Sequence, residues 1–155
     1  MAEKKTREKR GKGKEVVLHR LAGTKKALDA CRLVENLYQA GKRVTVFLSD
    51  SGRAAMLDEY LWTFAQHSFV PHVLWDGQGE VEDPVALVMG TLANPNGASV
   101  LVVGDRIAEP GDAGDFAEVH DFVTTAPEDE GKRKAWEDAG FTVDETRGVA
   151  GKAHG

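Results

Sequence analysis

Three residues, His67, His72 and Asp76, are spaced closely enough to share a metal ion, since zinc accepts nitrogen and oxygen ligands. The sequence offers no recognisable second pair of ligands, and histidines that flank an extended segment are more typical of a structural role. Asp58 and Glu59 are adjacent carboxylates, but neighbouring side chains on a helix point about 100° apart and do not converge as an acid–base pair. We therefore predict no metal site, no cofactor and no carboxylate-based catalysis.

Motifs for nucleotide chemistry are also missing from the sequence. No GxGxxG follows a predicted strand, no GxxxxGK[ST] phosphate loop occurs, and the turn at residues 49–52 is not a GxSxG elbow. The single cysteine, Cys31, has no charged activator specified beside it, so we interpret it as a small buried side chain rather than a reactive thiol. The sequence favours a protein without a catalytic site. An α/β enzyme acting on nucleotides or nucleic acids is the alternative.

Hydrophobic recognition is a second kind of chemistry, and residues 57–75 are the stretch richest in side chains for it. Trp62 falls at the border of the apolar face of a predicted helix. Phe69, Val70 and Pro71 follow in a short extended segment, because Pro71 lacks a backbone donor and favours an extended Val70. Large aromatic side chains concentrate the energy of protein interfaces. The pattern alone favours packing of this set in the core, with a partner-binding surface as the alternative.

A basic cluster near the C-terminus could bind acidic groups. It comprises Lys132, Arg133, Lys134 and Trp136, in a body that is otherwise acidic. Lys132 and Trp136 are four residues apart and share a helix face, so a cation and an indole together could bind an acidic peptide that ends in phenylalanine. The alternative, favoured by the pattern alone, is a basic half-helix that complements the helix dipole, with Trp136 in the core.

The elements that must position these residues alternate between strand and helix. A strand at 15–21 precedes a helix at 25–40, and the continuous apolar run at 44–48 is typical of a strand buried on both faces. Asp50 and Ser51 cap the next helix. This order predicts a right-handed βαβ crossover and an α/β fold, a three-layer sandwich built on a Rossmann-like mixed sheet with helices on both faces.

The second half of the chain contains shorter elements. Apolar strands at 85–89 and 100–103 are joined by the turn-rich segment 93–97, which predicts a hairpin or tight return. The remaining elements are a strand at 118–123, a helix at 128–139 and a strand at 141–144.

Charge is distributed unevenly along the chain. Residues 1–14 carry seven lysines and arginines against two glutamates, a local charge of +5, so the other 141 residues sum to −10. Such an arm suggests weak nucleic-acid contact, although a solvated, disordered terminus is the favoured interpretation. We predict a disordered basic arm at 1–14, one domain at 15–147 and a flexible tail at 148–155. With one cysteine and no apolar run of roughly 18 residues, we expect a cytoplasmic protein without a membrane partner.

Residues 41–74, GKRVTVFLSDSGRAAMLDEYLWTFAQHSFVPHVL, resemble the chi subunit family of bacterial DNA polymerase III holoenzyme. The blocks LDEYLW and SFVPH stand at the separation found in that family, and no physical rule demands both of them. Weaker resemblance extends through residues 84–105 and 116–141. Residues 1–14 have no counterpart in the family pattern.

This resemblance implies a non-catalytic adaptor that links the clamp-loader complex, through a psi-like partner, to single-strand DNA-binding protein. In chi subunits the matching tryptophan and phenylalanine help bind psi, so the resemblance assigns Trp62, Phe69, Val70 and Pro71 to a psi-like partner. A repair helicase uses the same face in that family. A chi-like protein that serves a helicase without any psi is therefore a further alternative.

The resemblance also implies a site for the acidic C-terminal tail of single-strand DNA-binding protein. The region that matches it contains Val123, Lys132, Arg133 and Trp136. The sequence departs from the family here, because the segment before Gly140 is shorter and Glu130 falls near the place of an expected arginine.

Overall fold

The computed structural model describes residues 14–22, 26–63 and 69–149. Seven strands lie in these ranges: β1 (Glu15–Arg20), β2 (Val44–Leu48), β3 (His72–Leu74), β4 (Val85–Met89), β5 (Val100–Val103), β6 (Glu118–Val123) and β7 (Thr142–Arg147). Three α-helices accompany them, α1 (Ala27–Gln39), α2 (Ser51–Thr63) and α3 (Lys132–Asp138), with 3₁₀ helices at Pro110–Asp115 and Pro127–Asp129. The predicted strands 44–48, 85–89, 100–103 and 118–123 have the bounds expected from the sequence.

The strands form one sheet in the order β3-β4-β2-β5-β6-β1-β7. Each pairing between them is parallel. The α/β class is confirmed, whereas the prediction of a mixed sheet is wrong. Strands β4 and β5 do not pair as a hairpin, because each pairs with a different edge of β2.

The turn-rich segment between β4 and β5 is a return connection, and Asn96 shows why. Its buried side chain donates from Nδ2 to the Val44 carbonyl at 3.0 Å and accepts from the Thr45 hydroxyl at 2.8 Å. These bonds anchor the segment at the amino end of β2. The chain must therefore travel back along the sheet before β5 begins, which makes β5 parallel to β2.

Helical elements cover both faces of the sheet, as predicted. Buried residues of α1 and α2, such as Val34 and Leu57, pack with Val46 of β2 in one core cluster. On the opposite face, Phe47 belongs to a second cluster, which includes Trp136 of α3. Because side chains alternate along a strand, β2 supplies apolar groups to both clusters, and all five of its residues are buried.

The predicted helix at 128–139 is divided in two, which corrects the sequence prediction. Gly131 has a φ of 90°, in the left-handed region, and separates the 3₁₀ helix from α3. Glu128 and Asp129 consequently lie in the 3₁₀ helix and not in the first turn of an α-helix. The Asp129 carboxylate instead accepts bonds from the amide and hydroxyl of Thr124, at 2.7 and 2.6 Å, and ties down the end of β6.

Several predictions fall outside the described residues. The basic arm is outside except for Lys14, and so is the predicted tail except for residues 148–149. His67, one of the candidate metal ligands, is outside as well. Within the described ranges, no helix has the length and apolar character needed to cross a membrane.

Candidate functional site

Two large aromatic side chains lie exposed beside the edge strand β3. Trp62 is 55% exposed and Phe69 is 60% exposed. Their ring centroids are 5.6 Å apart, and the Trp62 ring also packs on His72, with centroids 4.7 Å apart. We call Trp62, Phe69 and His72 the aromatic edge. Strand β3 pairs only with β4 in the described structure, so this surface lies at the end of the sheet.

The geometry of α2 explains why Trp62 faces outward. The helix buries Ala54, Leu57 and Leu61 against the sheet, and Trp62 lies about 100° round from Leu61. His72 beneath it is held by contacts at both ring nitrogens, since Nδ1 lies 2.7 Å from the Val70 carbonyl and Nε2 lies 3.1 Å from Asp58 Oδ1. The aromatic edge therefore rests on a rigid base.

Two residues that the resemblance assigned to this surface are less available to a partner. Val70 is buried in the core cluster under α1 and α2, so its assignment to a binding surface is wrong for the isolated chain. The segment is extended, so neighbouring side chains point to opposite sides, and Val70 points inward where Phe69 points outward. Pro71 is half-buried. Trp62 and Phe69 thus form the accessible part of the predicted set.

Two of the carboxylates considered for chemistry make structural contacts: Asp58 contacts His72, and Asp76 accepts from the amide of Gln78. Among the described residues, no group of three histidine, cysteine, aspartate or glutamate side chains is arranged to hold a metal ion. Cys31 is buried, as predicted, and burial raises the pKa of its thiol to about 12. A thiol with that pKa is protonated at neutral pH and is a poor nucleophile.

Trp136, assigned by resemblance to the tail site, belongs to the core. Its side chain is 1% exposed, and Nε1 donates to Asp121 Oδ2 at 3.0 Å. Phe141 packs edge-on against the indole, with ring centroids 5.0 Å apart. The idea that the indole directly receives a ring of a bound peptide is therefore wrong in this structure, and the alternative of core packing is correct.

Lys132 is also directed inward. Its side chain is 12% exposed, and Nζ donates to the Phe122 carbonyl at 2.6 Å and to Asp121 Oδ1 at 3.1 Å. Asp129 lies 3.3 Å from the same ammonium. Lys132 thus neutralises two buried carboxylates, and a ligand could use it only in competition with them.

Arg133 is the exposed cation of the predicted tail site. Its guanidinium contacts Glu137 at 3.1 Å, Glu145 at 3.0 Å and the Val143 carbonyl at 3.3 Å. Glu145 also accepts from Arg20, at 3.1 Å. The hydrogen bonds to Glu145, first from Arg133 and then from Arg20, lower the pKa of its carboxyl group.

Sequence reasoning missed Arg20, which is far from Arg133 along the chain. The sheet inserts β1 between β6 and β7, so the end of the first strand lies beside the end of the last. Val123, also in the predicted tail site, is buried and stands in register with Arg20. The sequence carried one usable signal, a basic residue at the end of a predicted strand.

A cleft opens at the carboxyl ends of β2 and β5, where the strand order reverses and α/β sheets commonly bind ligands. Two adjoining cavities, of about 560 and 360 Å³, share Lys26, Arg53 and Asp105 in their walls. The Asp105 carboxylate accepts from the hydroxyl of Ser49 at 2.5 Å and lies 3.4 Å from Arg53. The Lys26 ammonium donates to the Asp105 carbonyl at 3.2 Å. These polar groups bond to one another rather than pointing into the open space.

The fold and these surfaces define an α/β domain whose exposed features are an aromatic edge and a cluster of arginines. The family model described as "DNA polymerase III chi subunit, HolC" matches residues 14–142, and the chain belongs to that family. It is similar to the DNA polymerase III subunit chi of Pseudomonas aeruginosa, with 32% identity over 98 residues. It is also similar to the probable DNA polymerase III subunit chi of Rickettsia prowazekii, with 29% identity over 92 residues.

These alignments are partial. They cover 63% and 59% of this chain, and 66% and 53% of the two relatives respectively. The chain thus matches less than two thirds of the length of each of these relatives.

Proposed function

We propose that the chain is a non-catalytic adaptor of DNA polymerase III. It links the clamp-loader complex, through a psi-like partner, to the acidic C-terminal tail of single-strand DNA-binding protein. The observation that carries this proposal is the exposure of Trp62 and Phe69, whose rings pack against each other at the end of the sheet. Aromatic rings that are exposed together beside an edge strand are typical of a protein interface.

The aromatic edge suits a partner that buries apolar surface. Its rings need no reorganisation, because Trp62 packs on a histidine that Val70 and Asp58 hold in place. Preorganised side chains lose little conformational freedom when a partner binds. A psi-like subunit is the partner that the family membership favours, and a repair helicase that uses the same surface is the second candidate.

Phe69→Ala and Trp62→Ala are each expected to weaken binding of the psi-type subunit of the same organism roughly tenfold, as truncation of an interface aromatic commonly does. Unfolding free energy should change by less than about 1 kcal/mol, because both rings are exposed. Isothermal titration calorimetry and urea denaturation measure the two effects.

Tyr60→Ala is the matched control for this surface. Tyr60 is an exposed aromatic residue of the same helix, 43% exposed, but it lies about 160° round the helix from Trp62. Its replacement should leave psi binding unchanged. Equal affinity of all three variants and the wild type would refute the assignment of this surface to psi. Unchanged psi binding with lost helicase binding would favour the second candidate.

The tail site is proposed at the carboxyl ends of β6, β1 and β7, around Arg133. Its guanidinium is exposed and offers the planar donor pair that binds carboxylates. Lys132 and Trp136 support the site from beneath, since they fix Asp121 and the orientation of α3. In this proposal they position the site and do not touch the ligand.

Arg133→Glu is expected to weaken binding of a fluorescein-labelled acidic peptide that ends in phenylalanine, by roughly threefold to tenfold. Affinity should also fall between about 50 and 200 mM salt, because exposed charges are screened. Fluorescence anisotropy measures both. Lys134→Glu makes the same charge change one residue further on, at a side chain that pairs with Asp138. An identical loss in that control would mean that general charge, rather than Arg133, governs binding.

A further inference from the structure

Three side chains form a row across the last strands of the sheet. In the parallel register, Arg20 of β1 stands opposite Val123 of β6 on one side and Arg147 of β7 on the other. Arg20 follows Val16 and Leu18 at two-residue spacing, and both of these pack in the core cluster that includes Trp136. Because strand side chains alternate between faces, the row lies on the face covered by α3.

The row continues into Arg133, which projects from α3. Glu145 lies between the arginines, and its carboxylate accepts from Arg20 at 3.1 Å and from Arg133 at 3.0 Å. The Arg147 side chain makes no hydrogen bond or ion pair with any residue that the structure describes. The surface thus holds three guanidinium groups, with Glu145 bridging Arg20 and Arg133 and with Glu137 also paired to Arg133.

We propose that Arg20, Arg133 and Arg147 together bind the carboxylates of an acidic C-terminal peptide, and that Glu145 occupies this site internally and competes with the peptide. This inference rests on the proposed function, whose tail site it extends to two residues of other strands. We call Glu145 with its two arginines the glutamate latch.

The contacts of Glu145 resemble those that a ligand carboxylate would make. One oxygen meets each arginine, so a single carboxylate bridges two guanidinium groups. The three side chains are all at least partly exposed, and exposed ion pairs contribute little net stability. Glu145 can therefore be displaced at small cost, after which a peptide carboxylate takes its place.

A short acidic peptide fits this surface better than a nucleic acid does. Three arginines match the two or three carboxylates of such a peptide, which arginine binds in a planar, bidentate fashion. A strand of DNA would extend beyond the cluster over a body whose residues 15–155 carry a formal charge of −10. Binding of an oligonucleotide in place of the peptide is an outcome that the experiment below detects.

Glu145→Gln is expected to tighten binding of the labelled acidic peptide by about threefold to tenfold, because it removes the carboxylate that bridges Arg20 and Arg133. The matched control is Asp144→Asn. Asp144 is the preceding exposed residue of β7, and this change removes one negative charge without releasing an arginine. It should alter affinity by less than about twofold. Fluorescence anisotropy with the full chain measures each value, and thermal unfolding checks that the variants fold alike.

Two further variants test the cluster itself. Arg20→Gln in the Glu145→Gln background should return affinity to the wild-type value or below it. Arg147→Gln should weaken peptide binding in the wild type, where Glu145 is intact. Since Arg147 has no partner among the described residues, a folding defect would not account for that loss.

The outcomes separate this inference from the proposed function. If the wild type binds the peptide through Arg133 while Glu145→Gln matches Asp144→Asn, the glutamate latch is wrong and the tail site stands. If neither the wild type nor Glu145→Gln binds the peptide, the proposed tail site itself fails. Tighter binding of an unlabelled oligonucleotide than of the peptide by Glu145→Gln would overturn the assignment of an acidic peptide.

Discussion

Replacement of Asp121 by alanine is expected to destabilise the protein by about 3–5 kcal/mol, the usual cost of breaking a buried ion pair by removing one partner. Asp121 is 1% exposed and accepts hydrogen bonds from Lys132, Trp136 and the amide of Phe122. Its loss leaves a buried ammonium with one carboxylate fewer and an indole N–H without its acceptor. Urea denaturation at neutral pH measures the change in unfolding free energy.

Asp144→Ala is the control, since it removes an exposed carboxylate of β7, and its effect should stay within about 0.5 kcal/mol. A double-mutant cycle tests the mechanism. Asp121→Asn combined with Lys132→Met should destabilise less than the sum of the two single changes, because the loss of the Asp121–Lys132 ion pair is counted in each single change but occurs only once in the double variant. A loss of under about 1 kcal/mol for Asp121→Ala would contradict this account of α3.

Stability is expected to fall as the pH is lowered through the window between 6.5 and about 4, because of His19. Burial first, and then the neighbouring His120, lower the pKa of His19 from 6.5 to about 4. Between these two pH values His19 is protonated in the unfolded chain and neutral in the folded chain. The stabilisation is complete above pH 6.5 and is lost as the pH falls toward 4.

The groups that face His19 form a chain of contacts across two strands. His19 Nε2 lies 2.8 Å from His120 Nδ1, and His120 Nε2 lies 2.5 Å from Glu118. Glu118 also accepts from Lys42 at 2.8 Å, and the Gly148 carbonyl lies 3.4 Å from the other nitrogen of His19. The hydrogen bond with His120, aided by Lys42, lowers the pKa of Glu118 to about 2. The stabilisation by the ionised Glu118 carboxylate is complete above pH 4.5 and is lost as the pH falls toward 2, so Glu118 and His19 both make the protein less stable in acid.

The full effect of His19 is on the order of 3 kcal/mol, of which about 2 kcal/mol should be lost between pH 7.5 and pH 5. Urea denaturation at those two pH values measures it. In His19→Gln, which cannot take up the proton, the dependence on pH in this window should shrink by that amount. An unchanged slope in the variant would mean that other groups account for the acid sensitivity.

Local patterns in the sequence predicted the elements well where burial determines them. The run at Val44–Leu48 was identifiable because a strand buried on both faces is apolar throughout. The order in which the strands pair within the sheet was not predictable in the same way. Strand patterns around 85–89 and 100–103 do not encode which strand lies between them, and the bonds of Asn96 that prevent a hairpin are tertiary contacts.

The candidate sites show the same division. The sequence pattern alone favoured core packing for both tryptophans, which is wrong for Trp62, an exposed side chain, and correct for Trp136, whose indole donates to Asp121. Gly131 alone gave little warning that it would divide a helix. Arg20 joined the tail site only because the topology places the first strand between the last ones, which no local pattern records.

That placement of β1 has a consequence for how the chain is made. Among the described strands, β1 is the first to leave the ribosome, and it pairs with β6 and β7, the last two of them to be synthesised. Until residue 118 has emerged, both hydrogen-bonding edges of β1 are unpaired, and unpaired edges can associate with other chains. The sheet is completed by contacts between the two ends of the sequence, which are slow to form because the loop between them is long. The described sheet is therefore complete only after β7 has been translated.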